Sequence, residues 1–432
     1  MWETFGNLFR VPELRRRLLA TLGLLVIFRI GSNIAVPNVD PSVIAQASSQ
    51  NGGILAFMDA LSGGALSRMS IFAMSVYPYV TASIIVQLLS MDVIPTLTEW
   101  AREGEAGRRR LTQLTRYLTA ILGAVQAAGF TFGYFRTLFG ANIVVDQSVF
   151  GYAEVILALT AGTVLLMWLG EMITEYGIGN GISIVIMAGI VSRVPAYLQS
   201  IYQTWYAGNQ PQLALHIAFG VILVVIAVLV VAGVVYMHEG VRRIPVQYSR
   251  RVVGRRMYAG QQTHIPIKVN ASGVIPIIFA SSLLYVPVII AAFFPNHGWA
   301  TWIGANLNFQ GAFYNVLYAL LIVGFTFFYT YVQINPMQLA DDMKKYGGFI
   351  PGVRPGRPTE QYITRIMNRI TVAGAVFLAV IAIIPSLFIG VTGLTAVYFG
   401  GTALLIMVGV TLDTMKQLEG QLVMRHYHGF IR

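Results

Sequence analysis

The sequence predicts an all-α polytopic membrane protein with ten transmembrane helices in two five-helix halves. The first observation is a series of long apolar segments at 18–37, 71–90, 117–139, 152–170, 182–203, 213–237, 269–293, 312–333, 370–389 and 394–412. Each is near the roughly 20 residues a helix needs to cross a bilayer core. The second is charge asymmetry: of 29 Lys and Arg residues, 25 lie in segments that a ten-span topology puts on one side. Only Arg68, Arg136 and Arg193 fall opposite, and Arg29 lies inside the first span. Basic flanks are retained on the cytoplasmic side, so both termini and the basic loops at 238–268 and 334–369 are expected there.

Composition agrees. The chain is 56% hydrophobic and 11% charged, against roughly 25% charged in soluble domains, too little polar surface for an ordinary globular enzyme. A net charge of +11 carried on membrane-proximal loops points to anionic lipid headgroups as default partners. The absence of Cys excludes disulfides and thiolate metal sites. The first apolar stretch follows Arg15-Arg16-Arg17 as in a signal peptide, yet it is longer than a signal core and lacks a small-x-small cleavage site, so a retained anchor is expected. A boundary near 204–212 leaves five spans in each half; an odd number inverts equivalent helices, as in inverted-repeat transport proteins.

Several features depart from a plain bundle. Residues 52–70 are moderately apolar, too short to cross, and divided by Gly63-Gly64. They read either as a half-helix folded back into a cavity or as an extracytoplasmic loop on the interface. Thr81, Ser83, Gln87, Gln126, Asn270 and Ser272 lie at span positions where interhelical hydrogen bonds are expected. Arg29 is expected to snorkel to the outer interface, with Glu154 and Glu171 also interfacial. No mid-span carboxylate remains for a coupled carrier.

Catalytic signals are weak. None of the four lysines, Lys268, Lys344, Lys345 and Lys416, follows a glycine, so there is no P-loop and no nucleotide motor. Asp341-Asp342 lacks a second acidic cluster and reads as a solvated helix start; His426 and His428 lack a third ligand. The run Gly177-Ile-Gly-Asn-Gly181 lies in a tight interspan turn and has no preceding strand, unlike a dinucleotide loop. No cofactor is expected. The competing classes are a solute transporter, which needs central coupling charges, and a membrane prenyltransferase, which needs clustered acidic metal ligands.

Five stretches carry a resemblance: Pro78-Tyr-Val-Thr-Ala-Ser-Ile-Ile-Val-Gln-Leu-Leu89, Gly177-Ile-Gly-Asn-Gly-Ile-Ser183, Arg242-Arg-Ile-Pro-Val-Gln-Tyr-Ser-Arg-Arg251, the run from His264 to Ala280, and Gly347-Gly-Phe-Ile-Pro-Gly-Val-Arg-Pro-Gly-Arg-Pro-Thr359. They resemble the SecY/Sec61-alpha family of protein-translocation channels over the whole chain. One local departure is Ser75-Val-Tyr77, where the family pattern has a Gly-Ile-like sequence.

The resemblance implies a central pore between a half at 1–206 and a half at 207–432, opening across the membrane for secreted chains and sideways for membrane helices. It implies a re-entrant plug helix at about 54–69, with Leu55, Phe57, Met58, Leu61 and Leu66 as its apolar residues. Val80, Ile84, Ile186, Ile190, Ile275, Ile278 and Ile406 match the aliphatic pore ring, and Thr81, Gln126 and Asn270 match the lateral gate. Arg242, Arg243, Arg250, Arg251, Arg255, Arg256, Arg354 and Arg357 match the docking surface for a motor or ribosome. The implied partners are the small membrane subunits SecE and SecG, the SecA ATPase, the ribosome, and signal sequences with their nascent chains. The implied location is the bacterial cytoplasmic membrane.

Overall fold

The computed structural model describes residues 11–40, 59, 61–91, 93–134, 144–205, 213–248, 251–253, 256–258, 262–294, 297–307, 311–392 and 401–428. Helices dominate. In chain order they are α1 (Pro12–Gly31), α2 (Tyr77–Leu89), α3 (Pro95–Arg102), α4 (Glu105–Ala128), α5 (Val149–Tyr176), α6 (Gly181–Trp205), α7 (Leu213–Glu239), α8 (Ile275–Ala292), α9 (Gly298–Asn306), α10 (Ala312–Gln333), α11 (Pro336–Lys345), α12 (Arg357–Thr392) and α13 (Gly401–His428). A π-helical turn, Gly129–Tyr134, extends α4. Among the described residues, five stretches meet both the length and the hydropathy needed to span a membrane: Val149–Tyr176, Gly181–Gln199, Gly220–Glu239, Ala312–Lys345 and Arg357–Ile384. Their exposed Val, Leu and Ile side chains are the surface that hydrocarbon solvates in place of water.

Each expected apolar segment overlaps one of these helices, with shifted ends. α2 starts at Tyr77 because residues 71–76 run as turns. Ser75 in that run has φ +51°, a left-handed conformation that costs a non-glycine residue about 1–2 kcal/mol. The departure at Ser75-Val-Tyr77 thus falls on a backbone position that favours glycine. α8 likewise starts after Gly273, whose φ is +63°, so Asn270 and Ser272 lie in a turn and not in a span. Asp341 and Asp342 sit inside α11 and not at its start, which is Pro336 capped by the Asn335 side chain on the Met337 and Gln338 amides. α12 has 36 residues, about 54 Å at 1.5 Å per residue, so it extends well beyond a 30 Å hydrocarbon core.

One apolar core holds residues from α1, α2, α5, α6, α8, α10, α12 and α13. α2 and the π-helical turn pack on α8, and α6 packs on α13. A second core lies in the basic loops. β1 (Val241–Tyr248) pairs antiparallel with β4 (Gln262–Lys268), and between them β2 (Arg251–Val253) pairs with β3 (Arg256–Tyr258). β5 (Gly348–Phe349) adds to the other edge of β1 through Gln247 opposite Phe349 and Tyr248 opposite Gly348, so the sheet order is β4-β1-β5. Ile244, Val246 and Ile267 from the first loop bury against Met343, Ile350, Ile363 and Met367 from the second. The two basic loops are therefore one body with its own core.

Candidate functional site: a vestibule, a constriction and a plug

The site is read along α6. Asn180 in the glycine run accepts the Ser183 amide at 3.2 Å and caps the helix start, while Gly179 takes φ +74° and Thr174 accepts the Gly181 amide at 2.9 Å. From that fixed start, Ile182 and Ile186 line a cavity of about 430 Å³, and Gly189, Ser192 and Arg193 meet residues 59–67. From Ile182 to Arg193, about 16 Å of helix, α6 thus runs from the cavity wall to the turn at 59–67.

The polar lining of this vestibule, Gln87, Thr112, Arg116, Glu171, Glu175 and Asn180, is exposed or half-exposed, and the apolar lining, Val80, Ile186, Ile275, Ile278 and Phe279, is buried or half-buried. Arg116 and Glu171 form a two-armed ion pair with both distances 2.9 Å. That hydrogen bond to Glu171 holds the Arg116 guanidinium above its ordinary pKa, so the vestibule carries fixed charge.

Of the seven sequence-matched ring residues, Val80, Ile84, Ile186, Ile190, Ile278 and Ile406 are buried in the common core, and Ile275 packs against it half-buried. They come from α2, α6, α8 and α13. The i, i+4 and i, i+3 spacings put each pair on one helix face. A closed aliphatic constriction disfavours water and raises the barrier to ions.

Of the plug residues, Leu55, Phe57 and Met58 lie outside the described residues. Leu61 and Leu66 are buried in the same core as the ring, 3% and 4% exposed. Asp59 and Leu61 are helical, while 62–69 run as turns. The described part of the expected half-helix is thus a helix end at Asp59 and Leu61 followed by a buried turn, divided at Gly63-Gly64. Gly63 permits it with φ +71° and Gly64 with φ +86°. Gly189 lets the backbones touch: a Cβ there would lie 2.4 Å from the Leu61 carbonyl oxygen.

The Arg29 guanidinium, expected at the outer interface, donates to the Gly63 carbonyl at 3.0 Å and to Ser192 Oγ at 3.3 Å. Thr81, expected to bond between helices, donates to the Tyr77 carbonyl of its own helix at 3.0 Å, as hydroxyls in helices do. Asn270 donates to Gly273 at 3.2 Å and accepts from Ser272 at 3.2 Å, bracing the turn before α8, and Gln126 Oε1 is buried without a partner. Ser83 and Gln87, expected to bond between helices, line the vestibule instead.

The seam where α2 and α4 meet α8 is aromatic, which sequence reasoning missed. Tyr77 and Phe130 each sit 5.8 Å from Tyr285, a separation at which tilted rings attract. The Gly129 backbone admits Ile289 and Phe293 beside it. The only signal in the sequence was aromatic residues at the same depth as the polar ones.

On the basic platform, Arg242, Arg243, Arg354 and Arg357 are exposed. Arg251 and Arg256 lie on β2 and β3, described by backbone alone; Arg250 and Arg255 lie outside the described residues. The Arg354 loop is held from below, where buried Thr359 donates to the Arg354 carbonyl at 2.8 Å. Among the described residues no group of His, Asp and Glu is arranged to hold a metal.

A helical membrane protein with a partly charged cavity, a buried aliphatic cluster from α2, α6, α8 and α13, and a buried turn packed on α6 has the architecture of a channel. The family model described as SecY matches residues 70–415. Protein translocase subunit SecY of Halalkalibacterium halodurans is 48% identical over 434 residues, covering 100% of both chains. The chain belongs to the SecY family. A solved SecY structure, in which the plug domain stabilises the closed state of the translocation channel and maintains a membrane seal, aligns with TM-score 0.59 at 19% identity over 97% of each chain. Sec61 in the canine ribosome–channel complex from the endoplasmic reticulum aligns with TM-score 0.55 at 18% identity over 97% of each. These two likenesses show the shared fold.

Proposed function

We propose that this chain is the protein-conducting subunit of a translocase, passing unfolded secretory polypeptides through the constriction and releasing transmembrane segments sideways between α2 and α8. The observation that carries the reading is the sequence of vestibule, aliphatic ring and buried plug along α6. Flexible aliphatic side chains pack around peptides of many sequences, so conduction needs no catalytic group. A signal sequence lying in the α2–α8 seam replaces buried helix contacts with its own apolar surface and stabilises the open state. The halves are residues 1–206 and 207–432, both termini face the cytosol, and the membrane is the bacterial cytoplasmic membrane, consistent with the basic-loop asymmetry.

Directional work comes from outside the chain, from SecA or from ribosomal elongation, with SecE and SecG as small membrane partners. A photo-crosslinker at Ile186, Ile278 or Ile406 is expected to capture a stalled secretory chain, while one at lipid-facing Val224 is expected to stay unreacted with it. Equal capture at Val224 and at the ring would sink the pore assignment.

The exposed arginines of the two-loop platform are the docking surface, since guanidinium pairs in fixed fork geometry with motor carboxylates or ribosomal RNA phosphates. Because Thr359 holds its backbone, Arg354 is the contact chosen for the test. Arg354→Ala and Arg354→Lys are each expected to slow motor-driven export about tenfold, the scale of a lost charge-assisted hydrogen bond, at unchanged protein level. Export at the normal rate in both variants would remove Arg354 from the contact.

A further inference from the structure

We propose that the plug is seated by an ionic latch in which Asp59 of the plug is held by Arg193 of α6, with Arg29 of α1 gripping the adjacent plug turn. The inference rests on the plug reading above and names what holds that plug down. An Arg193 Nη2 contacts Asp59 Oδ2 and also donates to Ser67 Oγ at 3.2 Å. The other Asp59 oxygen accepts the Ser67 amide at 2.7 Å, and the Asp59 carbonyl accepts the Gly64 amide at 2.8 Å and Ser62 Oγ at 3.1 Å. One acidic residue thus organises the whole turn from 59 to 67 and ties it to a transmembrane helix. From the other side Arg29 donates to the Gly63 carbonyl, and Ser192, which it also reaches, adjoins Arg193.

These are costly groups to place here. The Asp59 side chain is 10% exposed and that of Arg193 is 21% exposed, so each depends on the other for compensation. Removing one partner of such a pair leaves an uncompensated charge and destabilises strongly, whereas removing both is far milder. Arg29, on the Gly63 carbonyl and Ser192 Oγ, is a second cation beside the turn, so loss of Asp59 leaves the Arg193 charge without its counter-ion. The latch therefore predicts an order: Asp59→Asn unseats the plug most, Arg193→Gln less, and the double variant least of the three.

The test is the resting ion conductance of the full-length channel reconstituted in planar bilayers with its partner subunits, with deletion of 59–69 as reference. Since the chain has no Cys, Ala65→Cys, at a position 0% exposed in the seated plug, adds a second readout, labelling by a membrane-impermeant maleimide. Asp59→Asn is expected to raise both conductance and labelling rate about tenfold, Arg193→Gln by less, and the double variant is expected to return toward wild type. Retained export by each variant shows that it is folded. If the deletion leaks while both single variants stay at wild-type conductance and labelling, the latch is refuted and the plug stands. A double variant as leaky as Asp59→Asn also refutes mutual compensation. A deletion that leaves conductance unchanged overturns the plug reading itself, and the latch with it.

Discussion

Replacing Gly189 by leucine is expected to raise the resting conductance of the reconstituted channel to the level reached by deleting 59–69, while export continues. The side chain would have to start 2.4 Å from the Leu61 carbonyl oxygen and 3.2 Å from the Gly63 amide nitrogen. Both are backbone atoms in a tight turn, held in place by Arg29 on the Gly63 carbonyl and by the Gly64 amide on the Asp59 carbonyl. α6 cannot retreat, because Ile186 and Ile190 on it are buried in the main core. The plug must give way. Gly189→Ala already places the offending carbon and is expected to leak at an intermediate level. This variant leaves Asp59 and Arg193 in place, so it probes the seat independently of the latch. A Gly189→Leu channel as tight as wild type would show that residues 61–63 do not seal the pore.

The second large effect is expected in the platform. Val246 is 0% exposed, on β1 between β4 and β5, in the core that Ile244 and Ile267 share with Met343, Ile350, Ile363 and Met367. Val246→Asp buries a carboxylate with no cationic partner, which costs several kcal/mol, more than a strand pairing of this length recovers. Because one core serves both loops, protease sensitivity is expected to rise in 334–369 as well as in 238–268, while the membrane helices stay resistant. Motor-driven export is expected to fall further than in Arg354→Ala, since all the basic contacts lose their scaffold together. Cleavage confined to 238–268 would mean that the loops fold separately.

Much of the architecture was legible in the sequence. Apolar segments about 20 residues long, with basic residues crowded on alternate connections, report how each stretch partitions between water and hydrocarbon, and that depends on composition alone. Gly177–Gly181 was legible as a tight turn for a similar reason, since glycine tolerates φ +74° at position 179. The ring was different. Ile186 and Ile190, at helical spacing, are indistinguishable in sequence from lipid-facing isoleucines; only the resemblance to the SecY family singled them out, and only the fold brings them to Val80, Ile278 and Ile406.

Polar and charged side chains marked the limit. Arg29 lacked any visible partner because Gly63 and Ser192 lie 34 and 163 residues away along the chain, and Arg193 looked like the frayed end of a span until it was paired with Asp59. Thr81 and Asn270 erred in the opposite sense: intramembrane polarity predicted bonds between helices, and local backbone carbonyls satisfied them first. Sequence by itself determined what each segment prefers as solvent, and hence the spans, the basic side and the glycine turns. Tertiary structure alone decided which faces meet, making one platform of two distant loops and a plug seat of two stray arginines, because a pairing energy exists only once a partner's position in space is set.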